Sequence, residues 1–241
     1  MLVTRPEPDA SETAARLGAL GIEGVVMPLL VHETLGVSLP EPAGFAAIAV
    51  TSTNALRALE ERGAIARYRQ LPVYAVGDRT AAAARDLGFA RVESAHGSFA
   101  DLAELLAHAP LHGPILYPAA RDLSGDLAKS LAPYGRMVIT AQIYAMNPAP
   151  SLSPELVADL ATGRIGATLL YSRRTAAIFV KLIGQGLDRG ARARLGMLCL
   201  SETVAEPLVD AHFVRIGLAD HPSEDAMMGL ALSFARDQNA S

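Results

Sequence analysis

Apolar residues recur along the chain in two alternating rhythms. Short unbroken apolar runs, rich in Val, Ile and Leu, alternate with alanine- and leucine-rich stretches whose apolar positions fall three or four apart. The first rhythm suits strands buried on both faces and the second suits amphipathic helices. Leu2-Val3-Thr4 predicts a strand that leads into a helix over 10–20, where Ala14, Leu17 and Leu20 share a face and Gly21 supplies the stop. A second strand is predicted over 25–31, a third over 45–50 and a fourth over 73–76, with helices over 54–62 and 80–87. Strands and helices alternating at this spacing predict a parallel, doubly wound sheet.

The same order of elements then occurs a second time. Leu2-Val3-Thr4-Arg5-Pro6, running on to Gly21 and a strand, matches Ile115-Leu116-Tyr117-Pro118, running on to Gly135 and a strand over 138–144, at an offset of 113 residues. Ala47-Ile48-Ala49-Val50 with Thr51-Ser52-Thr53 matches Ala167-Thr168-Leu169-Leu170 with Tyr171-Ser172-Arg173 at an offset of 120. Val73-Tyr74-Ala75-Val76-Gly77-Asp78-Arg79-Thr80-Ala81 matches the stretch from Met197 to Ala205 at an offset of 124, with one residue of slack at the turn. A fixed order with slowly growing offsets describes a duplicated lobe, because a solenoid repeats at a much shorter period. The expected fold is therefore α/β, with two similar doubly wound parallel-sheet lobes of the flavodoxin-like kind. Two proline-rich stretches, 32–44 with Pro40 and Pro42 and 146–154 with Pro148, Pro150 and Pro154, are the expected crossings.

Composition narrows the function classes. A chain of 241 residues with 51% hydrophobic and 19% charged residues can bury one large core or two smaller ones. Its formal net charge is -4, it has no Trp and only 5% aromatic residues, so there is no overall positive field and there are few stacking platforms for nucleic acid. No apolar run reaches the ~18 residues of a membrane helix. Arg5, Pro6 and Glu7 stand where a leader would need its apolar stretch. The single cysteine, Cys199, lies in the apolar run Met197-Leu198-Cys199-Leu200 and reads as a buried core thiol in a reducing compartment. The expectation is a cytoplasmic protein with no nucleic-acid or membrane partner.

Ligands of open parallel sheets bind beyond the carboxyl ends of the strands, where helix N-termini present unpaired N–H groups. The repeated turns fall there: Thr4-Arg5, Ser52-Thr53-Asn54, Gly77-Asp78-Arg79-Thr80, Arg121 to Ser124, Ser172-Arg173-Arg174-Thr175 and Ser201-Glu202-Thr203. Hydroxyls, arginines and helix N-termini together suit carboxylates or phosphates, in a cleft between the lobes. Each hydroxyl at such a turn is also an N-cap, and capping and ligand contact can coexist. No P-loop, G-x-S-x-G or H-E-x-x-H motif occurs, and Gly184-Gln185-Gly186-Leu187-Asp188-Arg189-Gly190 has the wrong spacing for a dinucleotide loop. His108 and His112 sit around Pro110 and Gly113 in a turn, with no third ligand beside them, so no metal is expected. Tyr144 closes an apolar run before Asn147-Pro148. Its phenol either faces the cleft or ties back to the backbone.

Taken in order, these motifs resemble the uroporphyrinogen-III synthase family. The resembling stretches are Leu2-Val3-Thr4-Arg5-Pro6 with Pro28, Val50-Thr51-Ser52-Thr53-Asn54-Ala55, the run from Val73 to Ala81 and Ile143-Tyr144, with weaker matches at Leu170-Tyr171-Ser172, Ser201-Glu202-Thr203 and Pro222-Ser223. Ser201, Glu202 and Tyr171 depart from the family pattern. The resemblance implies two lobes joined by a two-stranded connection, residues 1–33 with 147–241 forming one and 37–144 the other. It implies a lyase of tetrapyrrole and haem biosynthesis, without cofactor or metal, that converts hydroxymethylbilane to uroporphyrinogen III. Water is lost and ring D is inverted through a spiro intermediate. Tyr144 is the implied catalytic acid; Thr4, Arg5, Ser52, Thr53, Arg79, Thr80, Arg121, Ser172, Arg173 and Thr203 are the implied substrate contacts. The expected partners are the substrate and, transiently, the upstream hydroxymethylbilane synthase, with the protein itself a monomer. The alternative from another class is a non-catalytic bilobal module that binds a small polycarboxylate or tetrapyrrole.

Overall fold

Strands that are apolar on both faces must be covered by helices on both sides. The computed structural model, which describes residues 1–123, 125–184 and 186–239, accordingly contains two largely parallel sheets with helices packed on them. Two compact units result: Met1–Val31 with Asn147–Ser241, and His32–Met146. We call them unit 1 and unit 2.

Unit 1 holds β1 (Leu2–Val3), α1 (Asp9–Ala19), β2 (Val25–Val26), α7 (Pro154–Thr162), β9 (Ala167–Leu170), α8 (Arg173–Ile183), α9 (Arg189–Arg194), β10 (Gly196–Cys199), α10 (Glu202–Asp210), β11 (Ile216–Leu218) and α11 (Glu224–Asn239). Unit 2 holds β4 (Ala47–Val50), α2 (Thr53–Glu61), α3 (Ile65–Tyr68), β5 (Val73–Ala75), α4 (Asp78–Asp86), β6 (Val92–Ser94), α5 (Phe99–His108), β7 (Ile115–Ala120) and α6 (Leu127–Leu131). Two further strands, β3 (Leu30–Thr34) and β8 (Val138–Pro148), are neighbours in the six-stranded sheet and carry the chain from one unit to the other. The chain thus changes unit inside strands, ahead of the prolines at 40, 42, 148 and 150 rather than through them.

The duplication is explicit in the topology. Unit 1 has the order β2-β1-β9-β10-β11 and unit 2, apart from the edge strand β3 beside β8, the order β8-β7-β4-β5-β6. The matched segments coincide: β1 with β7, β4 with β9, and β5 with β10. Unit 1 reads 2-1-3-4-5 in its own chain order, the flavodoxin-like order. Unit 2 reads 5-4-1-2-3, which is the same sheet circularly permuted, because its copy of the first two strands comes last.

The inner strands of unit 2 serve two cores, as a period of two allows. In unit 2, Ile48, Val50 and Leu116 pack with Ala55, Leu56 and Leu59 of α2 and Ala84 of α4. Ala47, Ala49, Ile115 and Tyr117 face the other way, onto Leu102 and Leu106 of α5 and Leu127 and Leu131 of α6. In unit 1, Val3, Leu169 and Leu198 meet Leu17 of α1 and Met227, Met228 and Ala231 of α11.

One predicted strand is corrected. The run 25–31 is two strands in different sheets, β2 beside β1 and the start of β3 beside β8. Pro28 has no N–H to give a ladder, so the run breaks there. No helix of the described residues is long and apolar enough to cross a membrane.

Candidate functional site

In a doubly wound sheet the crevice opens where successive connections leave in opposite directions. That point lies between β7 and β4 in unit 2 and between β1 and β9 in unit 1.

In unit 2 three expected residues come together. Ser52 is the N-cap of α2, its hydroxyl accepting from the Asn54 N–H at 3.2 Å, and it also shares a hydrogen bond with the Tyr144 phenol. The Arg121 N–H donates to the Tyr144 carbonyl at 2.8 Å. Tyr144 reaches this place through a β-bulge: Ala119 pairs with Gln142 but Ala120 pairs with Tyr144, so Ile143 is an extra residue. The bulge turns Ile143 and Tyr144 into the same core although they are adjacent in sequence. Tyr144 is buried, and burial pushes its pKa up, with the Ser52 hydrogen bond opposing in part. The phenol is therefore protonated at neutral pH, as an ordinary tyrosine is, and burial makes it a weaker acid than a free one. Its ring stacks on His32 at 5.5 Å between centroids.

Around this pair stand Thr53, the first residue of α2, and the loop after β5. Gly77 starts α4 with no side-chain cap. The first N–H groups of α4 thus receive no cap from the N-cap side chain, Arg79 is exposed beside them and Thr80 is buried in the first turn. Asp78 lies 2.7 Å from His96 Nδ1, and hydrogen bonding to Ser94 together with this contact holds its carboxyl below the usual range. Arg121 is exposed, and Ser124, the end of its turn, lies outside the described residues.

Unit 1 differs. Thr4 is fully buried and its hydroxyl donates to the Leu169 carbonyl at 2.7 Å, which ties β1 to β9. Arg5, expected to meet a ligand carboxylate, is held by the protein's own: Nη1 donates to Glu224 at 2.5 Å and to Thr13 at 3.2 Å, and Nη2 to Asp9 at 2.7 Å. Its guanidinium also covers the Tyr171 ring at 4.2 Å, and the Tyr171 hydroxyl donates to Glu224 at 3.2 Å. One guanidinium against two carboxylates does not attract an anion. Ser172 caps α8, accepting from the Thr175 N–H at 3.1 Å, as Ser52 caps α2. Arg173 is exposed and donates to Glu206 at 2.9 Å.

Thr203 requires a correction. α4 and α10 start at equivalent residues after Gly77 and Ser201, so no slack is needed, and the partner of Thr80 is Val204, buried at 4%. Thr203 stands instead at the position of Arg79, exposed and 3.0 Å from the Ser201 hydroxyl. Ser201 itself places no side-chain cap on α10, so both second helices are open at the N-terminus.

Sequence reasoning overlooked His32 and Glu224. Neither lies in a repeated turn, and Glu224 reaches Arg5 across 219 positions of chain. Gln185, inside the rejected glycine pattern, lies outside the described residues. Among the described residues no group of three His, Cys, Asp or Glu side chains could hold a metal ion.

A scan against family models matches residues 11–229 to the model described as Uroporphyrinogen-III synthase HemD. The chain belongs to the uroporphyrinogen-III synthase family. Solved structures of the family share its fold. The uroporphyrinogen-III synthetase of Helicobacter pylori 26695 is 19% identical, with a TM-score of 0.68, over 97% of this chain and 98% of that one. A mutant uroporphyrinogen III synthase of the extreme thermophile Thermus thermophilus is 17% identical, with a TM-score of 0.59, over 100% of this chain and 99% of that one. No curated protein sequence gives a significant match.

Proposed function

We propose that this member of the family is a cyclising lyase that converts hydroxymethylbilane to uroporphyrinogen III in the cytoplasm. The observation that carries the reading is the family match across residues 11–229. The open parallel sheets and the buried, protonated Tyr144 beside Ser52 support it. Tyr144 gives its proton to the terminal hydroxyl as that group leaves as water. Ring D then attacks through its substituted carbon, the spiro intermediate fragments and the macrocycle recloses with ring D inverted. The proton released on closure restores the phenol.

Closure without a catalyst gives the uninverted type I isomer, so the main task is to hold the chain folded against the wrong attack. The substrate's acetate and propionate groups suit local positive potential rather than net charge. The open N-terminus of α4, with Arg79 and Thr80 and with Thr53 and Arg121 nearby in the fold of unit 2, supports this binding role. Ser172, Arg173 and Thr203 would supply weaker contacts from unit 1, whereas Thr4 and Arg5 would first have to give up the partners they hold. The reading assigns no cofactor and no metal, a monomer as the working form, and a brief encounter with the upstream hydroxymethylbilane synthase.

The experiment supplies freshly generated hydroxymethylbilane, oxidises the products and resolves type I from type III isomers beside a control without protein. Excess type III is expected, and Tyr144→Phe should lower kcat by about 10²-fold with its thermal melt unchanged. Type I alone, at the control rate, overturns the reading and leaves a non-catalytic binding module.

A further inference from the structure

His32 lies at the join of a hydrogen-bonded chain and an aromatic stack, and in the sequence it is only the first residue of the expected crossing 32–44. Its side chain is only 4% exposed. One face of the imidazole stacks on Tyr144, 5.5 Å between centroids with the rings inclined by 20°. Nε2 lies 3.0 Å from the Thr34 hydroxyl, and that hydroxyl donates to Glu61. Glu61 is in turn held by Arg57 Nε at 2.7 Å, and the Thr34 and Arg57 hydrogen bonds keep its carboxyl below the usual range.

The chain of donors fixes the tautomer. Thr34 has one hydroxyl hydrogen and spends it on an ionised carboxylate, which can only accept. The Thr34 oxygen must then accept from His32, so Nε2 carries the hydrogen and Nδ1 the lone pair. Nδ1 is buried and has no hydrogen-bond partner among the described residues. Protonating it would put a second N–H where none of the described residues accepts it, and the charge would be met only by Glu61, 3.7 Å from Nε2, with Arg57 opposing. The same helix serves both ends of the arrangement. Ser52 at the start of α2 holds the Tyr144 hydroxyl, and Glu61 at its end orients His32 through Thr34.

We propose that His32 is a positioning residue for Tyr144, holding the phenol ring in register as a neutral imidazole and releasing it when protonated. This rests on the reading of Tyr144 as the catalytic acid. The charged and titratable groups that face His32 are Arg57 and Glu61 from α2 and Tyr144 from β8. Burial first and Arg57 second lower its pKa, against Glu61, so the switch lies on the acid side of an ordinary histidine.

Two readouts test it on the full chain. The first is kcat and KM from about pH 5 to about pH 8 for the wild type, His32→Ala and His32→Phe. His32→Ala should lose about tenfold to a hundredfold in kcat with KM changed less than about twofold. His32→Phe restores a stacking ring without a nitrogen, so it should recover turnover relative to His32→Ala and lack the acid limb of the wild-type kcat profile. An unchanged acid limb in His32→Phe, or a kcat in His32→Ala equal to the wild type, overturns the proposal. The second readout needs no turnover: NMR titration of the His32 ring should show it protonating below the ordinary histidine value with the Tyr144 ring signals moving in step. Tyr144 signals that stay still while His32 titrates overturn the proposal even if no type III isomer is ever formed. A chain that forms no type III isomer but couples the two rings defeats the enzymatic reading alone.

Discussion

Glu224 shows how one side chain can redirect a site. It opens α11 and gathers Arg5, Thr13 and Tyr171, and so converts an arginine that reads as a ligand contact into a structural one. The Arg5 and Glu224 side chains are 18% and 25% exposed, so their charged hydrogen bonds count for more than a surface pair would. Glu224→Ala should cost about 2 kcal/mol, read as a lower midpoint in denaturant with an unchanged slope. Tyr171 adds a pH signature. Burial and then Glu224 raise its pKa above the ordinary 10.0, so the folded state favours the neutral phenol. That contribution is complete below the unfolded value and is lost as pH rises from there through the folded one. Thermal melts should therefore drop on the alkaline side, and Tyr171→Phe should flatten the drop. The sequence shows Arg5 and Tyr171 at strand ends, but the pairing that occupies them depends on where α11 packs.

At the level of elements, helix starts carry most of what can be read in advance. Ser52 and Ser172 cap helices, as a hydroxyl at a strand-to-helix turn predicts, and Ser98 and Ser153 do the same at helices not singled out in the sequence, Ser153 inside the expected crossing 146–154. The irregular elements cannot be read in this way. The bulge at Ile143 adds one residue to β8, and no residue type announces it, yet it alone puts Tyr144 in the core beside Ser52. The missing N–H of Pro28 is legible as chemistry, but the apolar run on either side of it has the pattern of one unbroken strand. Close packing between elements sets a further constraint at the first residue of β10. A Cβ on Gly196 would run into the Phe234 ring of α11. Gly196→Ala should therefore destabilise the fold by about 1–3 kcal/mol, and a double-mutant cycle with Phe234→Leu should return part of it. Additive losses in that cycle would put the strain elsewhere.

For the whole molecule, the two copies of one sheet differ in how the chain enters them. Unit 2 is a single contiguous segment with its own cores, whereas unit 1 needs β1 from the N-terminus between β9 and β2. A fragment of residues 32–146 should fold alone and melt cooperatively, while residues 147–241 alone should not, because the central strand of their sheet is missing; circular dichroism of the two fragments checks both. Periodicity and local hydrogen bonding suffice to specify the α/β class, the duplication with its three matched segments, and the helix caps, since neighbouring residues settle these among themselves. The apolar run around Cys199 likewise announces its burial, which raises the thiol to about 12. Three features are invisible at that range: Thr203 is not the counterpart of Thr80, Arg5 is already paired, and His32 lies on Tyr144. Each depends on contacts between residues far apart in the chain or on how whole elements align, set by sheet order, register and a bulge, and packing at such distances leaves no local periodic signal.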